Sequence, residues 1–245
     1  TNTKDTRVDG ELIYAYAQTN MLSELEDFIN ESNQADIQKV GDRCYEERLF
    51  EAAKLLYTNI GNNQKLASTL VFLKEYQAAL EAAKKANIPK VWKEVAYACV
   101  RSQEFRLAAI AGLNIVIHPD HLEGLIQHYE KFGYYRECTQ LLEGSLGLER
   151  AHMGIYTELG VMYAKYDPDR LMDHIRTYAQ KINIQKLIRV CAKWLMWPET
   201  VFLYAQYEEY DNAIMTMMEH SPTCWRHDVF VQHILKVTNL DLYYR

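Results

Sequence analysis

The chain repeats itself over a long period. Displaced by 147 positions it overlays, so that Ile37, Gln38, Lys39 and Cys44 fall on Ile184, Gln185, Lys186 and Cys191. At the same offset Leu12, Tyr16, Ala17, Leu56 and Tyr57 fall on Leu159, Tyr163, Ala164, Leu203 and Tyr204, and Phe50 meets Trp197. Self-similarity over such a period marks a stack of units, each burying its apolar face on its neighbours. A separate globule is the weaker reading.

A shorter period runs inside the long one. An aromatic residue is followed three positions later by a small one in Phe50-x-x-Ala53, Tyr76-x-x-Ala79, Phe105-x-x-Ala108, Tyr135-x-x-Cys138 and Tyr210-x-x-Ala213. The first four succeed one another at a step of roughly thirty, close to the length of tandem helix hairpins. Positions i and i+3 share one helix face, so each motif offers a large side chain beside a hole that lets another helix come close. These aromatics read as packing residues. Helix hairpins are expected at about 10–30, 34–60, 64–86, 90–116, 120–146, 151–181, 184–206 and 210–236, with a ninth begun at Asn239.

Pro89, Pro119, Pro168, Pro198 and Pro222 all fall where a helix is expected to begin, the one helical place where a missing N–H costs nothing. An apolar share of 49%, with 10 Gly and 5 Pro, supplies core but few tight turns. The expected fold is therefore all-α, an α-solenoid of stacked antiparallel helix hairpins of about 30 residues each, with a super-repeat of 147. In that frame 1–10 is a polar, frayed N-terminus, 11–157 is a first repeat unit, and 158–245 is a partial second unit continuous with it. Eight layers at ~10 Å each predict a rod on the order of 80 Å long. Leu240, Leu242, Tyr243 and Tyr244 are expected to pack on a further helix, as in a segment of a longer chain.

Charge and motifs narrow the function. The net charge is −6 and the cations are dispersed, so there is no basic stripe to displace counterions from nucleic acid. Cys44, Cys99, Cys138, Cys191 and Cys224 are odd in number and widely spaced, which argues against a disulfide framework or zinc ribbon and for a reducing compartment. No apolar run reaches the ~20 residues needed to span a bilayer. GxxxxGK[ST], GxGxxG, GxSxG and HExxH are all missing, so no enzyme activity and no cofactor is expected. His118, His121 and His128 have conceivable metal spacing, but no Cys or second carboxylate joins them. Glu46-Glu47 and Glu208-Glu209 are adjacent in sequence and cannot face each other as acid and base. The remaining candidate is a docking surface: Lys84-Lys85, Lys93 and Lys165, with Trp92 and Trp225 nearby in sequence, as anchors for an acidic amphipathic helix. For the two tryptophans, filling the core is the stronger reading.

Several longer strings resemble one family. They are Gly41-Asp42-Arg43-Cys44-Tyr45, Ala52-Ala53-Lys54-Leu55-Leu56-Tyr57, Leu66-Ala67-Ser68-Thr69-Leu70-Val71, Trp92-Lys93-Glu94-Val95, Gly147-Leu148-Glu149-Arg150-Ala151-His152-Met153-Gly154 and Tyr207-Glu208-Glu209-Tyr210-Asp211-Asn212-Ala213-Ile214. From Glu11 to Arg245 the chain resembles the leg of the clathrin heavy-chain family, at its proximal part. The resemblance implies legs joined as a triskelion and interdigitated with other heavy chains into a lattice around vesicles. It further implies clathrin light chain bound along the proximal leg, a cytoplasmic location on coated pits and coated vesicles, and membrane contact only through adaptors. The stretches Val100 to Gln103, Ala109 to Ala111 and Trp194 to Pro198 depart from the versions expected of animals and plants. A rival reading is a helical-solenoid subunit of a vesicle-tethering complex, which shares the generic repeat and lacks a light chain.

Overall fold

The computed structural model describes residues 6–31, 33–239 and 242. They form helices throughout, with no strand among them. Two compact units divide the chain, Thr1–Ile115 and Val116–Arg245.

The first unit pairs α1 (Thr6–Gln18) with α2 (Leu22–Asn30), α3 (Ile37–Glu46) with α4 (Phe50–Asn59), and α5 (Asn63–Phe72) with α6 (Tyr76–Ala86), and α7 (Pro89–Arg101) and α8 (Phe105–Val116) follow them in sequence. Helix α1 also packs on α3, α2 on α4 and α5 on α7, which is the stacking of one hairpin on the next. Ile13, Leu25, Cys44, Leu56 and Tyr57 form the core beneath the first two hairpins.

The second unit pairs α9 (Pro119–Lys131) with α10 (Tyr135–Ser145), α11 (Met153–Tyr166) with α12 (Leu171–Tyr178), and α13 (Ile184–Lys193) with α14 (Trp197–Gln206). Its last hairpin is α15 (Tyr210–Glu219) with α17 (His227–Ile234), which pack together across the short α16 (Ser221–Cys224). Helix α11 contacts both α9 and α13, and α12 contacts α14. Each unit is thus a stretch of α-solenoid, and the hairpins expected from sequence are present to within a few residues.

Three differences have local causes. Helix α1 begins at Thr6, several residues before the expected start near 10, while residues 1–5 lie outside the described residues. The sixth and eighth hairpins carry an extra turn in their bends, the 3-10 turn Pro168–Arg170 and α16, because Pro168 and Pro222 each start a new helical turn there. Leu242 is 5% exposed and turns back onto Ile214 and Val237 rather than outward. Leu240, Tyr243 and Tyr244 lie outside the described residues. All five prolines occupy the first or second position of a helix.

One bend recurs at the hairpin tips. The first helix ends in a residue with positive φ, namely Asn20, Arg48, Lys74, Gln103, Gly133, Leu195 or Glu208. The next residue then donates its N–H to a carbonyl five positions back: Leu49 to Cys44 at 2.8 Å, Glu75 to Leu70 at 2.9 Å, Glu104 to Cys99 at 2.9 Å, Tyr134 to Tyr129 at 3.0 Å, Met196 to Cys191 at 2.9 Å. This is a Schellman closure, and it satisfies carbonyls that the helix end leaves unpaired. The donor residue is also the N-cap of the next helix, and its carbonyl accepts from the residue four further on: Ala53 to Leu49, Ala79 to Glu75, Ala108 to Glu104, Ala213 to Glu209. The aromatic of the short repeat is therefore the first helical residue after the bend.

Candidate partner-binding surface

The aromatic at that first position reaches across to the neighbouring hairpin. Phe50 stacks on Phe72, at the end of α5, with centroids 4.8 Å apart and planes 4° from parallel. The hydroxyls of Tyr76 and Ser102, the residue capping α7, share a 2.5 Å hydrogen bond. Tyr135 stacks on Tyr166 at the end of α11, 4.0 Å apart. Trp197 stacks on His220, which caps α15, at 3.5 Å. Four hairpin junctions are thus pinned by the same device, an aromatic or hydroxyl contact from the start of one second helix to the end of the next first helix. Phe105 is half-buried like Phe50, Tyr76 and Tyr210, whereas Ala53, Ala79, Ala108 and Ala213 are fully buried, a small size that lets the helices come close at those points.

The long period is visible in the same details. Phe50 and Trp197, which the long repeat superposes, both stack on the ring of the following hairpin. Asp36 caps α3 by accepting the N–H of Lys39 at 3.1 Å, and Asn183 caps α13 by accepting the N–H of Lys186 at 3.0 Å. Arg48 and Leu195 both occupy the left-handed bend.

The four basic and aromatic candidates stand in different settings. Lys85 is exposed in the last turn of α6, beside Lys84, which pairs with Glu81 at 2.8 Å. Lys93 is half-buried, its ammonium 5.4 Å above the ring of Tyr97. Trp92 is 5% exposed, and its indole N–H has no partner among the described residues. Adjacent residues on a helix point about 100° apart, so Trp92 turns inward where Lys93 turns toward solvent. Lys165 is half-buried in the second unit and already holds Glu130 at 2.8 Å, a carboxylate that also accepts the Tyr166 hydroxyl at 3.0 Å. Burial and that bond to Glu130 push the Tyr166 phenol well above its ordinary range. Trp225 is 43% exposed and tilts against Phe230.

The surface also has a feature that the residue string does not announce. Lys186, Arg189 and Lys193 fall on one exposed face of α13 and run into Trp194 and Leu195, which are 48% and 69% exposed. Spacings of three, four and seven place the cations on one stripe, a signal readable once α13 is known to be helical. Lys186 pairs with Glu158.

Nucleophilic and metal chemistry finds little support. All five cysteines are buried, and burial pushes the thiols of Cys44 and Cys99 up to about 11 and those of Cys138 and Cys191 up to about 12, so thiolate is scarce at neutral pH. His118 and His121 sit edge to face at 6.2 Å, and His128 packs on Phe132. Among the described residues no three His, Cys, Asp or Glu side chains gather to hold a metal ion. Nor is any described helix long and apolar enough to cross a membrane.

Helix hairpins joined by one repeated bend and pinned by one repeated contact define a helical-repeat protein. The family model described as "Region in Clathrin and VPS" matches residues 1–107 and 113–245, and the chain belongs to that family. It is 52% identical over 242 residues to clathrin heavy chain 2 of Oryza sativa subsp. japonica, covering 99% of this chain and 14% of the relative. It is 51% identical over 241 residues to the clathrin heavy chain of Dictyostelium discoideum (98% and 14%) and 51% identical over 242 residues to clathrin heavy chain 2 of Homo sapiens (99% and 15%). The chain therefore spans about one-seventh of the length of these relatives.

Proposed function

We propose that the chain is a structural strut of a clathrin coat, a stretch of triskelion proximal leg that makes lattice contacts with other heavy chains and binds clathrin light chain. It works without catalysis, on the cytoplasmic face of coated pits and vesicles, and meets membrane only through adaptors. The observation that carries this reading is identity near one-half along almost the whole chain to proteins named clathrin heavy chain, from a plant, an amoeba and a human. Hairpin-on-hairpin packing gives such a strut stiffness, and many weak contacts between struts make a lattice that assembles and comes apart. The frame of 147, with units 11–157 and 158–245, is the repeat register of that strut.

Light chain would lie on exposed and half-buried cations flanked by apolar side chains. Lys85 and Lys93 in the first unit and Lys165 in the second keep that role, with Arg189, Lys193 and Trp194 added. Trp92 contributes only its narrow exposed edge and serves mainly to seat α7. Because the family description also includes VPS proteins, a tethering-complex subunit is the rival reading. Immobilised chain offered purified clathrin light chain separates the two: retention at stoichiometric levels supports the strut, and no retention by folded chain favours the rival.

A further inference from the structure

His152 holds the first turn of α11 through an imidazole that must be neutral to do so. Its Nδ1 accepts the backbone N–H of Gly154 at 3.1 Å, which makes the ring the N-cap of the helix. Its Nε2 lies 2.9 Å from the carbonyl oxygen of Val116, the first residue of the second unit. A carbonyl accepts and an N–H donates, so the two contacts select one tautomer: Nε2 carries the proton and Nδ1 is bare. Gly154 is matched to the ring, since a Cβ at that position would lie 2.7 and 2.8 Å from two imidazole atoms.

We propose that His152 is an acid-sensitive latch, whose protonation at Nδ1 abolishes the cap on the Gly154 N–H and loosens the first turn of α11, while Nε2–H stays on the Val116 carbonyl. Protonation converts the capping acceptor into a donor that faces another donor, the N–H of Gly154. It also sets a full positive charge at the positive end of the helix dipole. Imidazole is the side chain that changes charge between roughly pH 5 and 8, so mild acidification is the trigger.

The elements packed on the ring do not cancel this. Val116 presents only its backbone, and the residues just before it in α8 are uncharged. Helix α9 brings Leu122 to the turn, and the titratable groups near its start are His118, Asp120 and His121. On its own loop His152 follows Glu149 and Arg150. Among the described residues none of these forms an ion pair with His152. A second histidine acts on α11 separately. His174 is 6% exposed and its Nε2 lies 2.8 Å from the carbonyl of Tyr156. It faces Tyr163 and Tyr178, and Glu143, Asp169, Arg170 and Asp173 line the same cavity. Any test must hold His174 constant.

His152→Asn does so, because asparagine caps a helix and does not titrate. Two readouts apply to the full chain: melting temperature at pH 7.5 and 5.5, and nitrogen NMR of the imidazole and the Gly154 amide in wild type. The latch predicts the Nε2–H tautomer at pH 7.5 and at least a tenfold fall in Gly154 amide protection on acidification. It also predicts that wild type loses about 3 °C more than His152→Asn over the same interval. An Nδ1–H tautomer at pH 7.5, unchanged Gly154 protection, or equal thermal losses in the two proteins would overturn it. If His152→Asn does not fold, the wild-type spectra decide alone.

Discussion

Trp197 lies flat on His220, centroids 3.5 Å apart and planes 5° from parallel, and one long repeat earlier Phe50 lies on Phe72 with planes 4° from parallel. Phe50 and Trp197 are superposed by the repeat and their partners fall one residue apart in register, so what the repeat preserves is a pin between one hairpin and the next. Stacked rings contribute ~0.5–1.5 kcal/mol beyond their buried area. A double-mutant cycle on Trp197→Ala and His220→Ala, read by urea unfolding, should give a coupling of that size. Strict additivity would mean that the rings touch without pinning the hairpins.

The repeated bend predicts an unusual stabilising change. Leu195 has φ of 60° and is 69% exposed, so its side chain gains little and its backbone is strained. Leu195→Gly should raise stability by about 1 kcal/mol. Gly133, at the equivalent bend with φ of 77° and open space around it, should lose a similar amount on Gly133→Ala, through backbone strain alone. Urea midpoints of the two variants should move in opposite directions.

Ala79 is fully buried in α6 and donates its N–H to Glu75. Ala79→Phe should overpack the contact and cost roughly 1–3 kcal/mol. An unchanged melting temperature would place the residue in a looser setting than its burial indicates.

Asp42 ties three helices together, accepting from Gln38 at 3.0 Å, Tyr57 at 2.7 Å and Lys65 at 3.0 Å. Burial raises its pKa, but the bonds from Tyr57, Lys65 and Gln38 outweigh it and hold the carboxyl below the usual range. A carboxyl lowered on folding stabilises above its unfolded value of about 3.9 and loses that stabilisation as pH falls through the folded value. Its side chain is 36% exposed, so solvent screening reduces the effect. Asp42→Asn should destabilise at pH 7 by about 1 kcal/mol and less at pH 3. An equal loss at both pH values would exclude the charge as the cause.

Sequence reading reaches the hairpins and the buried alanines because both follow from a helical period and a residue size, which are local. It reaches the proline starts for the same reason. The ring pins stay hidden from it: Phe50 stands out in the repeat, but Phe72, Ser102, Tyr166 and His220 share no residue type, and only the fold brings them opposite their partners. The bends escape it because Arg48, Lys74, Gln103 and Leu195 occupy a backbone conformation that sequence normally signals with glycine. Lys165 stands out by charge alone, whereas its pairing with Glu130 joins α11 to α9 and is a product of the fold.

That pairing changes how the docking surface should be probed. Charge reversal at Lys165 would set two carboxylates together at Glu130, which is 22% exposed in its side chain, and would disturb the fold as well as binding. Lys93→Glu combined with Lys165→Gln should weaken binding of a light-chain helix at least tenfold while leaving helical circular dichroism unchanged. Undiminished affinity would remove both lysines from the surface.

The most direct test of the strut reading is titration calorimetry of the folded chain against the central helix of its cognate clathrin light chain. Binding near one to one with micromolar or tighter affinity, weakened by the two lysine changes, is the expected result. No heat and no binding by chain whose circular dichroism shows it fully helical would contradict it.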